Sequence, residues 1–155
     1  MNIIKFLIEY RIKINDKDFF NRTPLYIACL NGNEVVVKYL VEHGTDVNKE
    51  ESNEALMFSA YKSGNEAIIK FLVEHKVYIN KESTYNGTPL YNACKSRNEG
   101  IVKYLVENGA DINKEKNNGE TPLFKAWKSG NKTIIKNLVK FRIDINKEKE
   151  DGVYK

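Results

Sequence analysis

"TPLYNACKSRNEGIVKYLVENGADINK", Thr88 to Lys114, is followed by "TPLFKAWKSGNKTIIKNLVKFRIDINK", Thr121 to Lys147, the same rhythm with altered side chains. With the leucine of "YLVE" as register mark, equivalents fall at Leu7, Leu40, Leu72, Leu105 and Leu138, spaced by 33, 32, 33 and 33 residues. The asparagines closing each period, Asn15, Asn48, Asn80, Asn113 and Asn146, keep step. A period near 33 indicates a stacked array whose units are single supersecondary motifs, none able to bury its apolar face alone.

Within a period, Thr23-Pro24, Thr88-Pro89 and Thr121-Pro122 supply a capping hydroxyl followed by proline at the first helical position. The short helix that follows carries Leu25, Ala28 and Cys29 on one face and Ile27, Leu30 and Asn31 on the other. Gly32, Gly64 and Gly130 close it through a left-handed turn. A second helix bears the stripe Val36, Val37, Leu40, Val41, repeated as Ile101, Val102, Leu105, Val106. It ends at Gly44 or Gly109, before "DVNK" or "DINK" and a polar turn such as Asn117 to Glu120.

These motifs resemble the ankyrin-repeat family. "TPLYIA", "TPLYNA" and "TPLFKA" match its T-P-L-H-x-A signature, with Tyr or Phe in place of histidine, and "VEHGTDVN" and "VENGADIN" match the close of its second helix. The resemblance covers essentially the whole chain. It implies an all-α solenoid of stacked helix-turn-helix units with projecting β-turn fingers. The units are a half unit over 1–15, full units over about 16–48, 49–80, 81–113 and 114–146, and the start of a further turn over 147–155.

The chain also departs from the pattern. Ala55 and Leu56 replace the Thr-Pro cap in the second full unit, where Asn53 is a substitute cap. Arg11, Lys76 and Arg142 stand where Gly44 and Gly109 do, and Arg97 replaces the glycine after a first helix. A left-handed side chain costs roughly 1–2 kcal/mol, so a rebuilt helix end is expected there. Ile3, Ile4, Leu7 and Ile8 form a second helix without a first, and the chain stops at "EDGVYK". We therefore expect a segment of a longer array, or self-association through the N-terminal helix.

The chain has 155 residues, 30 % of them charged and 41 % hydrophobic, a globular balance. No apolar run approaches the roughly 20 residues a membrane span requires. The interrupted N-terminus lacks a cleavage signature for a signal peptide. Cys29 and Cys94 make no disulfide framework, and two units would separate them by roughly 16–20 Å at ordinary helix spacing. Buried thiols in a cytoplasmic or nuclear protein are expected. The net charge of +4 permits an acidic partner without requiring nucleic acid. AT-rich coding would by itself enrich Asn, Lys and Ile, so lysine position carries more meaning than lysine number.

No catalytic constellation stands out, and no cofactor or metal is expected. "KSGN" around Ser63 and Ser129 recurs with the repeat and without histidine, which marks a structural turn. His43 and His75 occupy equivalent helix ends with no accompanying ligand column, and helix-end pairing with carbonyls is the reading they support.

First helices contribute Ala28, Ala60, Ala93 and Ala126 to the stack, so the array is expected to curve with these helices inside. The exposed inner columns would then be Ile27, Ser59, Asn92, Lys125; Leu30, Lys62, Lys95, Lys128; and Asn31, Ser63, Ser96, Ser129. Fingers project beside them with Phe19, Phe20 and Arg22; Glu51, Ser52 and Glu54; Thr84 and Tyr85; and Asn117, Asn118 and Glu120. The resemblance implies that this surface binds a protein partner, at a typical interface of roughly 1,600 Å². Phe19 and Phe20 either anchor that partner together with Ile27 and Leu30 or tuck back onto Tyr26. The lysine column favours an acidic stretch of the partner. Nucleic-acid binding through that column is disfavoured, because Glu50, Glu51 and Glu54 lie near and no aromatic ladder interleaves. The other alternative is a structural segment with no partner of its own. Tyr61 and Trp127, at the places of Cys29 and Cys94, read as core filling rather than as an aromatic anchor.

Overall fold

The computed structural model describes residues 14–49, 56–83 and 87–141. The caps are formed by the residues the pattern predicts. The Oγ1 atoms of Thr23, Thr88 and Thr121 accept from the amides of Tyr26, Tyr91 and Phe124 at 3.1–3.2 Å. They open α1 (Pro24–Leu30), α5 (Pro89–Lys95) and α7 (Pro122–Ser129), while α3 spans Leu56–Ser63. The outer helices are α2 (Glu34–Glu42), α4 (Glu66–Glu74), α6 (Glu99–Glu107) and α8 (Lys132–Lys140). Each starts from an asparagine, Asn33, Asn65, Asn98 or Asn131, whose side-chain oxygen accepts a first-turn amide. That column keeps the repeat period and has no forerunner in the sequence reading.

The expectation of rebuilt helix ends fails at both described exceptions. Lys76 holds φ of 63°, against 90° and 91° at Gly44 and Gly109, and Arg97 holds 61°, against 68°, 73° and 72° at Gly32, Gly64 and Gly130. Their closures are those of the glycine units. The Lys76 amide donates to Val73 O at 3.0 Å and the Val77 amide to Leu72 O at 3.1 Å, matching Gly44 to Val41 O and Thr45 to Leu40 O. A Cβ at Gly44 or Gly109 would meet nothing within 4 Å. The penalty is therefore one of backbone conformation alone, and the two closing bonds are kept in spite of it. Arg11, Arg142 and Asn53 lie outside the described residues, as do Ile3, Ile4, Leu7 and Ile8 of the half unit.

The chain folds as two compact units, Met1–Val77 and Tyr78–Lys155. In the first, α1 packs on α3 and α2 on α4; in the second, α5 packs on α7 and α6 on α8. First helices meet through small residues, with Ala28 and Ala60 buried in one unit and Ala93 and Ala126 in the other. Branched aliphatics fill the space beneath: Leu25, Val37, Ile68 and Leu72 in one, Leu90, Ile101, Leu105, Ile134 and Leu138 in the other, all 0–1 % exposed. Each fully buried side chain of this size contributes roughly 1.5–3 kcal/mol. Cys29 and Cys94 are buried thiols in the same layers.

Asparagine joins neighbouring repeats. Asn48 Nδ2 donates to Lys76 O at 2.9 Å. In the second unit Asn80 does the same to Gly109 O at 3.1 Å, and its Oδ1 also accepts from the Asp111 amide at 2.7 Å. The closing asparagine of one repeat thus binds the left-handed helix end of the next. Rungs at matching places in three of the repeats also close the fingers: Asp18 N to Arg22 O at 3.0 Å, Ser83 N to Gly87 O at 3.2 Å, and Lys116 N to Glu120 O at 3.0 Å. The middle one is an isolated antiparallel bridge, and no strand occurs among the described residues.

Candidate functional site

The finger over residues 18–22 is organised by a single carboxylate. Asp18 Oδ1 accepts from the amides of Phe20 and Arg22, both at 2.9 Å, while Oδ2 accepts from Arg22 Nε at 2.8 Å and Nη2 at 2.6 Å. Asn21 takes the left-handed corner at φ 61° and donates its amide to Asp18 O. The Arg22 side-chain bonds, ahead of its backbone amide, hold the Asp18 carboxyl below the usual range and raise the guanidinium in turn. A charged pair this exposed contributes little to global stability. Its consequence is local: the bonds that Asp18 accepts from Phe20 and Arg22 brace the loop in this shape.

That shape presents two aromatic rings to water. Phe19 is 99 % exposed and Phe20 66 %. Their rings meet edge to face at 5.7 Å, and the Arg22 guanidinium lies 4.7 Å over the Phe20 ring. Neither tucks onto Tyr26, which is buried in the core. An open groove of about 370 Å³ adjoins the finger, with Arg22, Pro24, Ile27, Ala28 and Val36 among its walls and Asp16, Asp18, Asn31 and Asn33 adding polar groups. Of the predicted site residues, Arg22 and Ile27 reach this groove. Leu30 is half-buried on α1 and does not line it.

The remaining predicted positions divide. Lys62, Lys95 and Lys128 are exposed, and Lys125 is half-buried with Nζ 5.7 Å over the Tyr91 ring. Lys128 Nζ lies 5.9 Å over Phe124. Tyr85 lies outside the described residues, as do Thr84, Glu51, Ser52 and Glu54. The inner column of Ile27, Ser59, Asn92 and Lys125 is corrected at its centre, because Ser59 and Asn92 are buried. Both turn back on their own helix, Ser59 Oγ to Leu56 O at 2.7 Å and Asn92 Nδ2 to Thr88 O at 3.0 Å, and present no side chain to a partner. Trp127 is corrected too. It is 58 % exposed, since no later first helix covers α7 among the described residues as α7 covers α5. Tyr61 is half-buried.

Two further groups have structural roles. Ser63 and Ser129 Oγ donate to Ala60 O and Ala126 O at 2.6 and 2.8 Å, closing their own helices. His43 and His75 place Nδ1 2.8 Å from Tyr39 O and Phe71 O, so that nitrogen carries the proton; their rings lie 3.8 and 4.0 Å from those of Tyr39 and Phe71. Asn108 makes the same bond to Tyr104 O at 2.8 Å. Among the described residues no three His, Cys, Asp or Glu side chains cluster, and no helix is long and apolar enough to cross a membrane. Asp18 was missed in the sequence, although an aspartate opening a turn four residues before an arginine is a readable signal.

The family model described as ankyrin repeats (3 copies) matches the chain over residues 1–84 and 78–149. Such repeats are generally protein–protein interaction modules, and the family is typically non-enzymatic.

Proposed function

This chain belongs to the ankyrin-repeat family, and from that premise we propose that it is a non-enzymatic scaffold binding a protein partner through its fingers and first-helix face. The finger over residues 18–22 is the anchor. One observation carries the reading: Asp18 and Arg22 fix a loop whose only projecting side chains of size are two exposed phenyl rings. Folding needs neither ring. Aromatic side chains already ordered before binding lose little conformational freedom when a partner covers them. The adjoining groove would take an apolar side chain of the partner beside Ile27 and Val36. Lys95, Lys125 and Lys128 in the second unit would meet an acidic stretch of the same partner and hasten encounter. We place the protein in the cytoplasm or nucleus, where Cys29 and Cys94 would remain thiols.

The test is affinity capture from a native lysate with the chain as bait, repeated with Phe19→Ser/Phe20→Ala. Retained proteins that depend on the two rings support the proposal. A partner held equally well by the finger variant, with its fold intact, overturns the assignment of this surface.

A further inference from the structure

Outer helices of the first three described repeats carry one charge pattern at positions i, i+4 and i+8: Glu34-Lys38-Glu42, Glu66-Lys70-Glu74 and Glu99-Lys103-Glu107. In α8 both glutamates become lysine, giving Lys132-Lys136-Lys140, all three exposed. From Thr121 to Phe141 there are five lysines and no Asp, Glu or Arg. AT-rich coding raises lysine everywhere and does not explain why a fixed pattern inverts on one helix. Helix stability does not explain it either. The pattern elsewhere supports ion pairs, Lys38 to Glu34 at 2.6 Å and Lys103 to Glu107 at 3.8 Å, whereas three lysines four apart repel. Lys132 also puts a cation at a helix N-terminus, where the other three outer helices have glutamate.

We infer that the outer face of α8 is a second docking surface, for an acidic protein segment lying along the helix. The stripe spaces its charges by roughly 6 Å, the rise of four helical residues, which a partner helix with carboxylates four apart would match. Its width selects against broader polyanions. α8 packs on α6, whose Glu99 accepts from Asn131 Nδ2 at 3.2 Å and whose Glu107 is exposed. A nucleic-acid duplex or an anionic membrane reaching across to α6, roughly 8–10 Å away, would meet these carboxylates. A single acidic segment parallel to α8 avoids them. This surface is independent of the finger over residues 18–22.

The full chain supplies its own probe, since Trp127 is its one tryptophan and lies on α7, packed against α8. Its fluorescence is titrated at low salt with an alanine-based helical peptide bearing three glutamates at i, i+4 and i+8. Parallel titrations use a DNA duplex and phosphatidylserine vesicles. The peptide is expected to bind, and Lys132→Glu/Lys140→Glu to weaken it at least tenfold. That double variant restores the pattern of the other outer helices, so its melting temperature should equal or exceed that of the parent. Lys136→Glu, a single exposed change, should weaken binding in the same direction. Phe20→Ala should leave it unaltered, which separates this surface from the finger. Peptide affinity indifferent to the lysine variants, no peptide binding, or tighter binding of duplex or vesicles would each overturn the inference.

Discussion

Asn48 reaches out of its own repeat to bind the backbone carbonyl of Lys76, the residue holding the left-handed end of the next outer helix. Asn80 repeats the contact with Gly109 and adds a bond from the Asp111 amide. A net hydrogen bond is worth about 1 kcal/mol. Asn48→Ala and Asn80→Ala should therefore each lower unfolding free energy by about 1–2 kcal/mol. Urea denaturation of both variants checks this; a variant as stable as the parent would mean that the asparagine does not hold the repeats together.

Lys76 and Arg97 occupy a glycine conformation. Relief of roughly 1–2 kcal/mol of backbone strain is offset by the greater unfolded-state freedom of glycine, about 0.5–1 kcal/mol. Lys76→Gly should thus stabilise by up to about 1 kcal/mol. The converse change, Gly130→Ala, meets no atom within 4 Å and should destabilise by about 1 kcal/mol through backbone strain alone. Denaturation midpoints of the two variants should move in opposite directions.

The Tyr91 hydroxyl donates to the Glu120 carboxylate, tying the finger over residues 116–120 to α5. Burial first, and this bond second, push the phenol well above its ordinary value. A raised acid contributes stability that is complete below its unfolded pKa, about 10, and is lost as pH rises beyond it. Tyr91→Phe should cost about 1–3 kcal/mol at neutral pH. It should also flatten the loss of stability above pH 10, which thermal melts across that range would show.

Asp18 behaves oppositely. Its lowered pKa makes the finger's order complete above the ordinary carboxylate value, about 3.9, and lost only as pH falls through the lower folded value. NMR amide shifts of Phe20 and Arg22 should hold at pH 4 and move together on further acidification. In Asp18→Ala they should be independent of acid, and any partner should leave faster because the rings are no longer pre-set. A finger unchanged by Asp18→Ala would contradict the assigned role.

Burial pushes the Cys94 thiol up to about 12, and Cys29 is fully covered as well. Thiolate is the reactive form, so maleimide at pH 7 should label neither cysteine until denaturant is added. Prompt labelling of both in the folded protein would refute the packing of α1 and α5.

Periodicity, caps and turns were legible because each is written within a few residues. The 33-residue rhythm, Thr-Pro starts and apolar stripes determine eight helices over the described residues and the pairing of each inner with its outer helix. Glycine at helix ends was readable for the same reason. That Lys76 and Arg97 hold the glycine geometry was not, since the choice weighs a local penalty against closing bonds and packing that only the folded chain supplies. Exposure likewise depends on what arrives from elsewhere. Trp127 and Cys94 occupy one position in the pattern, yet α7 covers Cys94 while no described first helix covers Trp127. Ser59 and Asn92, polar by type, became buried by bonding to their own helices. Phe19 and Phe20 could have served core or surface, and the Asp18–Arg22 clasp decided for the surface. Sequence alone specified where the backbone turns, because turning is governed by neighbours in the chain; tertiary structure decided which side chains meet water, because that is governed by neighbours in space.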